Sequence, residues 1–138
     1  MKNELTIPAN PTPFEWEITI QSDDIDELGH VNNVVYLRWV QQVAAAHWKS
    51  KALETITDKY LWVVLRHEID YLRPALINDK IIGQTWISSM EGVKSMRHVK
   101  FSSNGKVLAE AKTTWCLLDA TTMKPKRIGD DIREIFLA

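Results

Sequence analysis

Between Asn33 and Lys51 the chain has no Gly or Pro, and Tyr36, Trp39, Val40, Val43 and His47 recur at i, i+3, i+4, i+7 and i+11. That spacing lines one face of an α-helix with apolar side chains. Val35, Ala44, Ala45, Ala46 and Trp48 widen the face. The run predicts one long, largely buried helix with Asn32 or Asn33 at its N-cap. No other segment holds this period over such a length, and most of what surrounds it reads as strand. Phe14, Trp16, Ile18 and Ile20 alternate with polar residues over 14–21, the pattern of a half-buried strand. Apolar runs over 61–72, 80–90, 95–102 and 106–118 predict four more. Arg73-Pro74 breaks the first of these, Glu91-Gly92 turns the second, and Asn104-Gly105 is a strong hairpin signal before the last. In that last strand Val107, Ala109, Ala111, Thr113, Trp115 and Leu117 share a face. Pro125 ends the sheet, and residues 129–137 predict a short terminal helix.

One long apolar helix and roughly five strands define an α+β chain. A flat sheet would bury the helix from one side only, so the expected architecture is an antiparallel sheet wrapped around one long central helix. Such a sheet still has edges, and pairing with a second copy would cover one of them. The 138 residues carry no linker or internal repeat, which makes 1–138 a single domain. Residues 1–13, with Pro8, Pro11 and Pro13, read as an extended lead-in.

Composition narrows the function classes. Charged residues are 25% and hydrophobic residues 45%, enough apolar material for a packed core. The formal charge is −1 and no block of Lys and Arg stands out, so a nucleic-acid partner is not expected. No apolar stretch is long enough to span a membrane, and the first residues lack the apolar run of a secretory signal, so the expected location is the cytoplasm. The single Cys116 excludes an internal disulfide, and with no evident His or Asn partner it does not read as a nucleophile. The histidines at 30, 47, 67 and 98 show no metal-ligand spacing, and no metal is expected. His47 lies on the apolar helix face and reads as a core or interface histidine. No Gly-x-Ser-x-Gly elbow or glycine-rich phosphate loop is present. Six Trp in so short a chain imply broad aromatic packing surfaces.

Chemistry concentrates at Asp24-Ile25-Asp26-Glu27-Leu28-Gly29-His30-Val31-Asn32-Asn33-Val34-Val35-Tyr36. Acidic residues before a helix commonly do no more than complement its dipole. The same arrangement also sets a carboxylate beside unpaired N–H groups that attract an anion or a developing oxyanion. A base or nucleophile next to an oxyanion hole is a minimal kit for acyl transfer.

This segment resembles the 4-hydroxybenzoyl-CoA thioesterase family of hotdog-fold acyl-CoA thioesterases. The shared pattern is Asp24-x-Asp26-x-x-Gly29, then Val31, Asn32 and Asn33, then Tyr36 and Leu37-Arg38-Trp39 on the helix. Ile69-Asp70-Tyr71-Leu72-Arg73-Pro74-Ala75 with Asp79, and Lys94-Ser95, extend the resemblance over most of the chain. It implies a hotdog fold and hydrolysis of an acyl-CoA to the free acid and CoA, without a cofactor beyond the CoA of the substrate. Asp26 would be the catalytic carboxylate, as nucleophile or general base, and the N–H at Asn33 the oxyanion donor. Gly29, His30 and Tyr36 would belong to the substrate site, with His30 and Tyr36 lining the acyl pocket. Lys94, Ser95 and Arg127 would meet the nucleotide end of CoA. Glu27 and Leu28 follow Asp26 where some members have Pro and Ala, so the resemblance implies the thioesterase class without the 4-hydroxybenzoyl substrate, and leaves aromatic against aliphatic preference open. It also implies a pocket formed between subunits, hence a homodimer or homotetramer. The competing readings are a thioesterase acting on acyl carrier protein, which would want a larger positive rim, and a non-catalytic acyl-CoA-binding module, which would not need Asp26. A hotdog dehydratase would want a different motif around its His.

Overall fold

A computed structural model describes residues 13–137, with no account of the Leu137 side chain. The extended lead-in expected over 1–13 thus lies, apart from Pro13, outside the described residues. The elements are β1 (Phe14–Ile18), α1 (Asn33–Lys51), α2 (Glu54–Thr57), β2 (Tyr60–Tyr71), β3 (Ile81–Glu91), β4 (Lys94–Ser103), β5 (Lys106–Asp119) and α3 (Asp130–Leu137). A single 3-10 turn at Ser22–Asp24 sits between β1 and α1.

The strands form one five-stranded sheet in the order β1-β3-β4-β5-β2, every pair antiparallel. The hairpin joining β4 to β5 turns on Asn104 and Gly105, both at positive φ, as its Asn-Gly dipeptide requires. β1 is shorter than the alternation over 14–21 predicts. It ends at Ile18, which pairs with Ile81, the first residue of β3, so Thr19 has no strand residue to pair with. Ile20 is nevertheless buried, so the apolar phase runs past the hydrogen-bonded strand.

Residues of β1, β3, β4 and β5 that face α1 build the main core with Val35, Tyr36, Trp39, Val40 and Val43 of the helix. Tyr36 meets the rings of Trp39, Tyr71 and Phe101 edge-on at 5.0–5.5 Å. Burying aromatic rings in this way supplies much apolar area at one point of the core. A second cluster joins Tyr60, Ile87, Met90, Leu117, Ile128 and Ile132, with Trp48, Trp62 and Phe136 packed against it. The helix is less enclosed than its sequence predicts: Val34, Arg38, Gln41, Gln42, Ala45 and Lys49 are exposed, so one side of α1 stays open in a single chain.

Helix and sheet approach closely at Gly83 of β3. A Cβ built there would lie 2.9 Å from Val43 Cγ2 and 3.4 Å from Ile18 Cδ1. Val43 is fully buried on a stiff β-branched side chain and has little room to yield. Gly83→Ala is expected to destabilise the fold by about 1–3 kcal/mol, the usual cost of overpacking. Urea unfolding reads this directly; an unchanged midpoint would show that helix and sheet separate freely at this point.

Candidate active site

The loop before α1 is built around two aspartates with different tasks. Asp24 is buried, and its carboxylate accepts from the Gln21 N–H at 2.8 Å and from Arg38 Nη2 at 2.6 Å. Its carbonyl accepts from the Asn32 N–H at 2.8 Å. Asp24 therefore ties the end of the 3-10 turn to the first turns of α1. Its charge is met by Arg38, a role the sequence pattern does not reveal.

Asp26 is half-buried in a small loop closed by a bridge between Ile25 and Val31. Its N–H donates to the His30 carbonyl at 2.8 Å, and its carbonyl accepts from the Gly29 N–H at 3.0 Å. Gly29 has φ +78°, a left-handed conformation that favours glycine, which explains its place in the motif. The carboxylate oxygen Oδ1 accepts from the Leu28 N–H at 2.9 Å and the His30 N–H at 3.3 Å. Oδ2 has no hydrogen-bond donor among the described residues. The loop thus holds one oxygen in place and leaves the other available to a proton or an electrophile.

Asn32 caps α1, its side chain accepting from the Val34 N–H at 3.1 Å, while the Val35 N–H donates to the Asn32 carbonyl at 2.9 Å. Among the described residues the Asn33 N–H has no acceptor. It is an open donor at the positive end of a 19-residue helix. The Asn33 carbonyl accepts from the Tyr71 hydroxyl at 3.1 Å, which ties the end of β2 to the start of α1. The Tyr36 side chain is in the core, where burial, then Tyr71 and Asp79, push its pKa up to about 12, so its phenol stays neutral.

The remaining candidates lie at the other end of α1. Lys94 is exposed at the start of β4, and Arg127 is exposed in the segment after β5. The Ile128 N–H donates to the Gly92 carbonyl at 2.8 Å, bringing the Arg127 segment to the turn before Lys94. Ser95 is buried beside them. The candidates therefore form two groups. Asp26, Gly29, His30, Asn33 and Tyr36 gather where α1 begins; Lys94, Ser95 and Arg127 gather where it ends.

Beside the second group, over the second half of α1, lies a cleft of about 340 Å³ lined by Trp48, Trp62, Trp115, Phe136, Ser95 and Arg97 among others. None of the five candidates at the start of α1 lines it. Arg97 is the residue that sequence reading missed. In β4 it is in phase with Ser95, Val99 and Phe101, all buried, so the alternation alone places a cation on the helix-facing side. Arg97 Nη1 donates to His47 Nδ1 at 2.9 Å and to Thr85 Oγ1 at 3.0 Å. Because Arg97 only donates, Nδ1 of His47 is the acceptor and the ring carries its proton on Nε2. His47 also stacks on Phe14 and meets Phe136 edge-on. Burial, then Arg97 and Lys51, bring its pKa down to about 3. It is a satisfied core histidine, as its place on the helix predicts.

Among the described residues no group of three or more His, Cys, Asp or Glu is placed to hold a metal ion, and no helix is long and apolar enough to cross a membrane. Cys116 is buried.

A curled five-stranded antiparallel sheet on one long helix, with an acidic loop at the helix start, defines the hotdog class. The sequence profile described as "Acyl-ACP thioesterase N-terminal domain" matches residues 11–136, and the chain belongs to that family. It is similar to the long-chain acyl-CoA thioesterase FadM of Escherichia coli K12, with 26% identity over 88% of this chain and 95% of the relative. The acyl-CoA thioester hydrolase YbgC of Escherichia coli O6:H1 is 25% identical over 89% of this chain and 95% of its own length. A thioesterase from Thermus thermophilus, solved in complex with coenzyme A and Zn, shares the fold with a TM-score of 0.79 at 23% identity, covering 88% of this chain and 90% of that one.

Proposed function

We propose that this protein hydrolyses acyl-CoA thioesters, with Asp26 as general base or nucleophile and the Asn33 N–H as oxyanion donor. The observation that carries this reading is the Asp26 carboxylate, pinned through Oδ1 by two N–H groups, with Oδ2 unbonded among the described residues, in the loop that leads into an open helix N-terminus. As a base, Asp26 takes a proton from water, and the hydroxyl adds to the thioester carbon. The carbonyl oxygen becomes an oxyanion facing the Asn33 N–H. Collapse expels CoA thiolate, which takes up a proton, and leaves the free acid. As a nucleophile, Oδ2 attacks first and water cleaves the resulting anhydride. Both routes use water and the chain's own residues, without a metal or organic cofactor. Gly29 and His30 shape the loop, and the exposed Lys94 and Arg127 receive the nucleotide end of CoA, where phosphates favour Lys and Arg. Supporting this reading, FadM and YbgC, matched over nearly their whole lengths, are named as acyl-CoA thioester hydrolases. The narrower 4-hydroxybenzoyl specificity is not part of the proposal. A cytoplasmic location is.

The separation of the two candidate groups favours a homodimer. β2 pairs with β5 on one side, and its other side is a free sheet edge among the described residues, with Leu61, Val63 and Leu65 exposed. Antiparallel pairing of two β2 strands about a two-fold axis sets the Tyr60 end of one copy beside the Tyr71 end of the other. Tyr71 is bonded to Asn33, so the cleft of one subunit then adjoins the helix start of its partner. A substrate would lie across both copies, with a tetramer as a further assembly. Sedimentation velocity at micromolar concentration is expected to show a dimer or larger; a monomer that hydrolyses acyl-CoA would contradict the shared site.

The family description favours a second reading, in which the acyl group is delivered on an acyl carrier protein. Turnover of one acyl group presented on CoA and on the carrier protein separates the two. The proposal expects the CoA ester to be hydrolysed with at least equal kcat/KM; hydrolysis of the carrier-bound ester alone would replace it with the second reading.

A further inference from the structure

The cleft over the second half of α1 contains a charge that its walls do not balance. Arg97 is 6% exposed and lines the cleft. Of an arginine's five N–H donors, two are used by His47 and Thr85. Both of these partners are neutral. The ion pairs among the described residues are Arg38 with Asp24 and Arg66 with Glu68, so no carboxylate meets Arg97. Burial lowers its pKa only to about 10, and the guanidinium is charged at neutral pH. A buried cation without an anion is costly, and a protein that keeps one in a cavity wall normally has a use for it.

A second observation points the same way. Trp115 lines the same cleft, and its buried indole N–H has no acceptor among the described residues. Trp115 pairs across the sheet with Ser95, two residues from Arg97 on the same face of β4. The cleft therefore has unused donors, the exposed Lys49 as a second cation, no acidic lining residue, and walls otherwise of aromatic and aliphatic side chains with a few neutral polar ones. It lacks an acceptor-rich, singly charged group at the end of an apolar stem. A phosphate end of CoA fits less well, because it carries more charge and more bound water than a cleft walled by aromatic rings would accommodate.

We propose that the cleft receives an acyl group that ends in a carboxylate, so that the preferred substrates are CoA thioesters of dicarboxylic acids and Arg97 recognises the free carboxylate. This deepens the thioesterase reading and rests on it for the reaction: water cleaves the thioester, giving the diacid and CoA, while the distal carboxylate is unchanged. The cleft, about 340 Å³ in volume, is large enough for a short diacyl group such as adipoyl.

The test compares adipoyl-CoA with its terminal methyl ester and with hexanoyl-CoA on the wild-type protein. The free acid is expected to have a kcat/KM at least about a hundredfold higher than either, because a site built around a charged hydrogen bond rejects analogues that lack it. Arg97→Gln is expected to remove that preference. In parallel, the fluorescence of Trp48, Trp62 and Trp115 is followed while free adipate, hexanoate or CoA is added. Saturable change with adipate, lost in Arg97→Gln, supports the assignment even if no thioester is turned over, in which case the thioesterase reading fails alone. Equal turnover of all three thioesters overturns this inference and leaves the thioesterase reading standing. So does a fluorescence change with CoA but none with adipate, which would make Arg97 a phosphate ligand. The wild-type comparisons decide the question even if Arg97→Gln does not fold.

Discussion

Asp26→Asn is expected to lower kcat/KM on acyl-CoA by about a hundredfold or more, with little change in stability. The amide has the shape of the carboxylate, and its oxygen still accepts from the Leu28 and His30 N–H groups. The loop should therefore keep its form. What is lost is the negative charge on the second oxygen, which in the proposed reaction either takes the proton from water or attacks the carbonyl. Loss of a general base typically costs 10²–10⁴ in rate, roughly. A change in kcat at constant KM would place the effect in the transition state; a change in KM alone would make Asp26 a binding group. Unchanged urea unfolding of the variant keeps the comparison clean.

The second large effect is on acid stability. His47 is held neutral in the folded protein, with its pKa brought down to about 3 from an ordinary 6.5 by burial, then by Arg97 and Lys51. The unfolded chain protonates this ring below about 6.5 while the folded chain does not. His47 therefore imposes no penalty above pH 6.5, and the fold loses stability as pH falls from there toward 3. The slope attributable to one such group approaches about 1.4 kcal/mol per pH unit. His67 and His98 are also held low by burial, His98 with help from Lys112, and both act in the same direction. His47→Gln retains an acceptor for Arg97 and removes the titration. Its unfolding free energy should fall less steeply than wild type between pH 6 and pH 4, by up to one proton's worth of slope. Parallel curves for the two proteins would show that His47 is protonated in the folded state.

Much of the architecture was readable because one element dominates the pattern. The helical period over Asn33–Lys51 matches α1 at both ends, and Asn32 provides the cap. The four later strands lie within a residue or two of their apolar runs, since turn residues bound each of them. The helix α2 carries no periodic signal because it is only four residues long. Sheet order is not local information. Nothing in the composition of β2 says that it crosses to the far edge beside β5. The acidic loop before α1 was legible through its motif, and Asp24 and Asp26 could be told apart only once Arg38 was seen to meet the first of them. Arg97 was hidden because a lone cation in a strand ordinarily reads as solvated, although its phase with Val99 and Phe101 places it inside.

The central claim is that this chain cleaves acyl-CoA thioesters by means of Asp26. Release of free CoA thiol, followed for the wild-type protein and Asp26→Asn side by side across aliphatic, aromatic and carboxylated acyl-CoAs, tests it most directly. The account predicts turnover of at least one class by the wild type and a drop of about a hundredfold or more in the variant. Equal turnover by both proteins, or none by the wild type on any CoA ester, would contradict it.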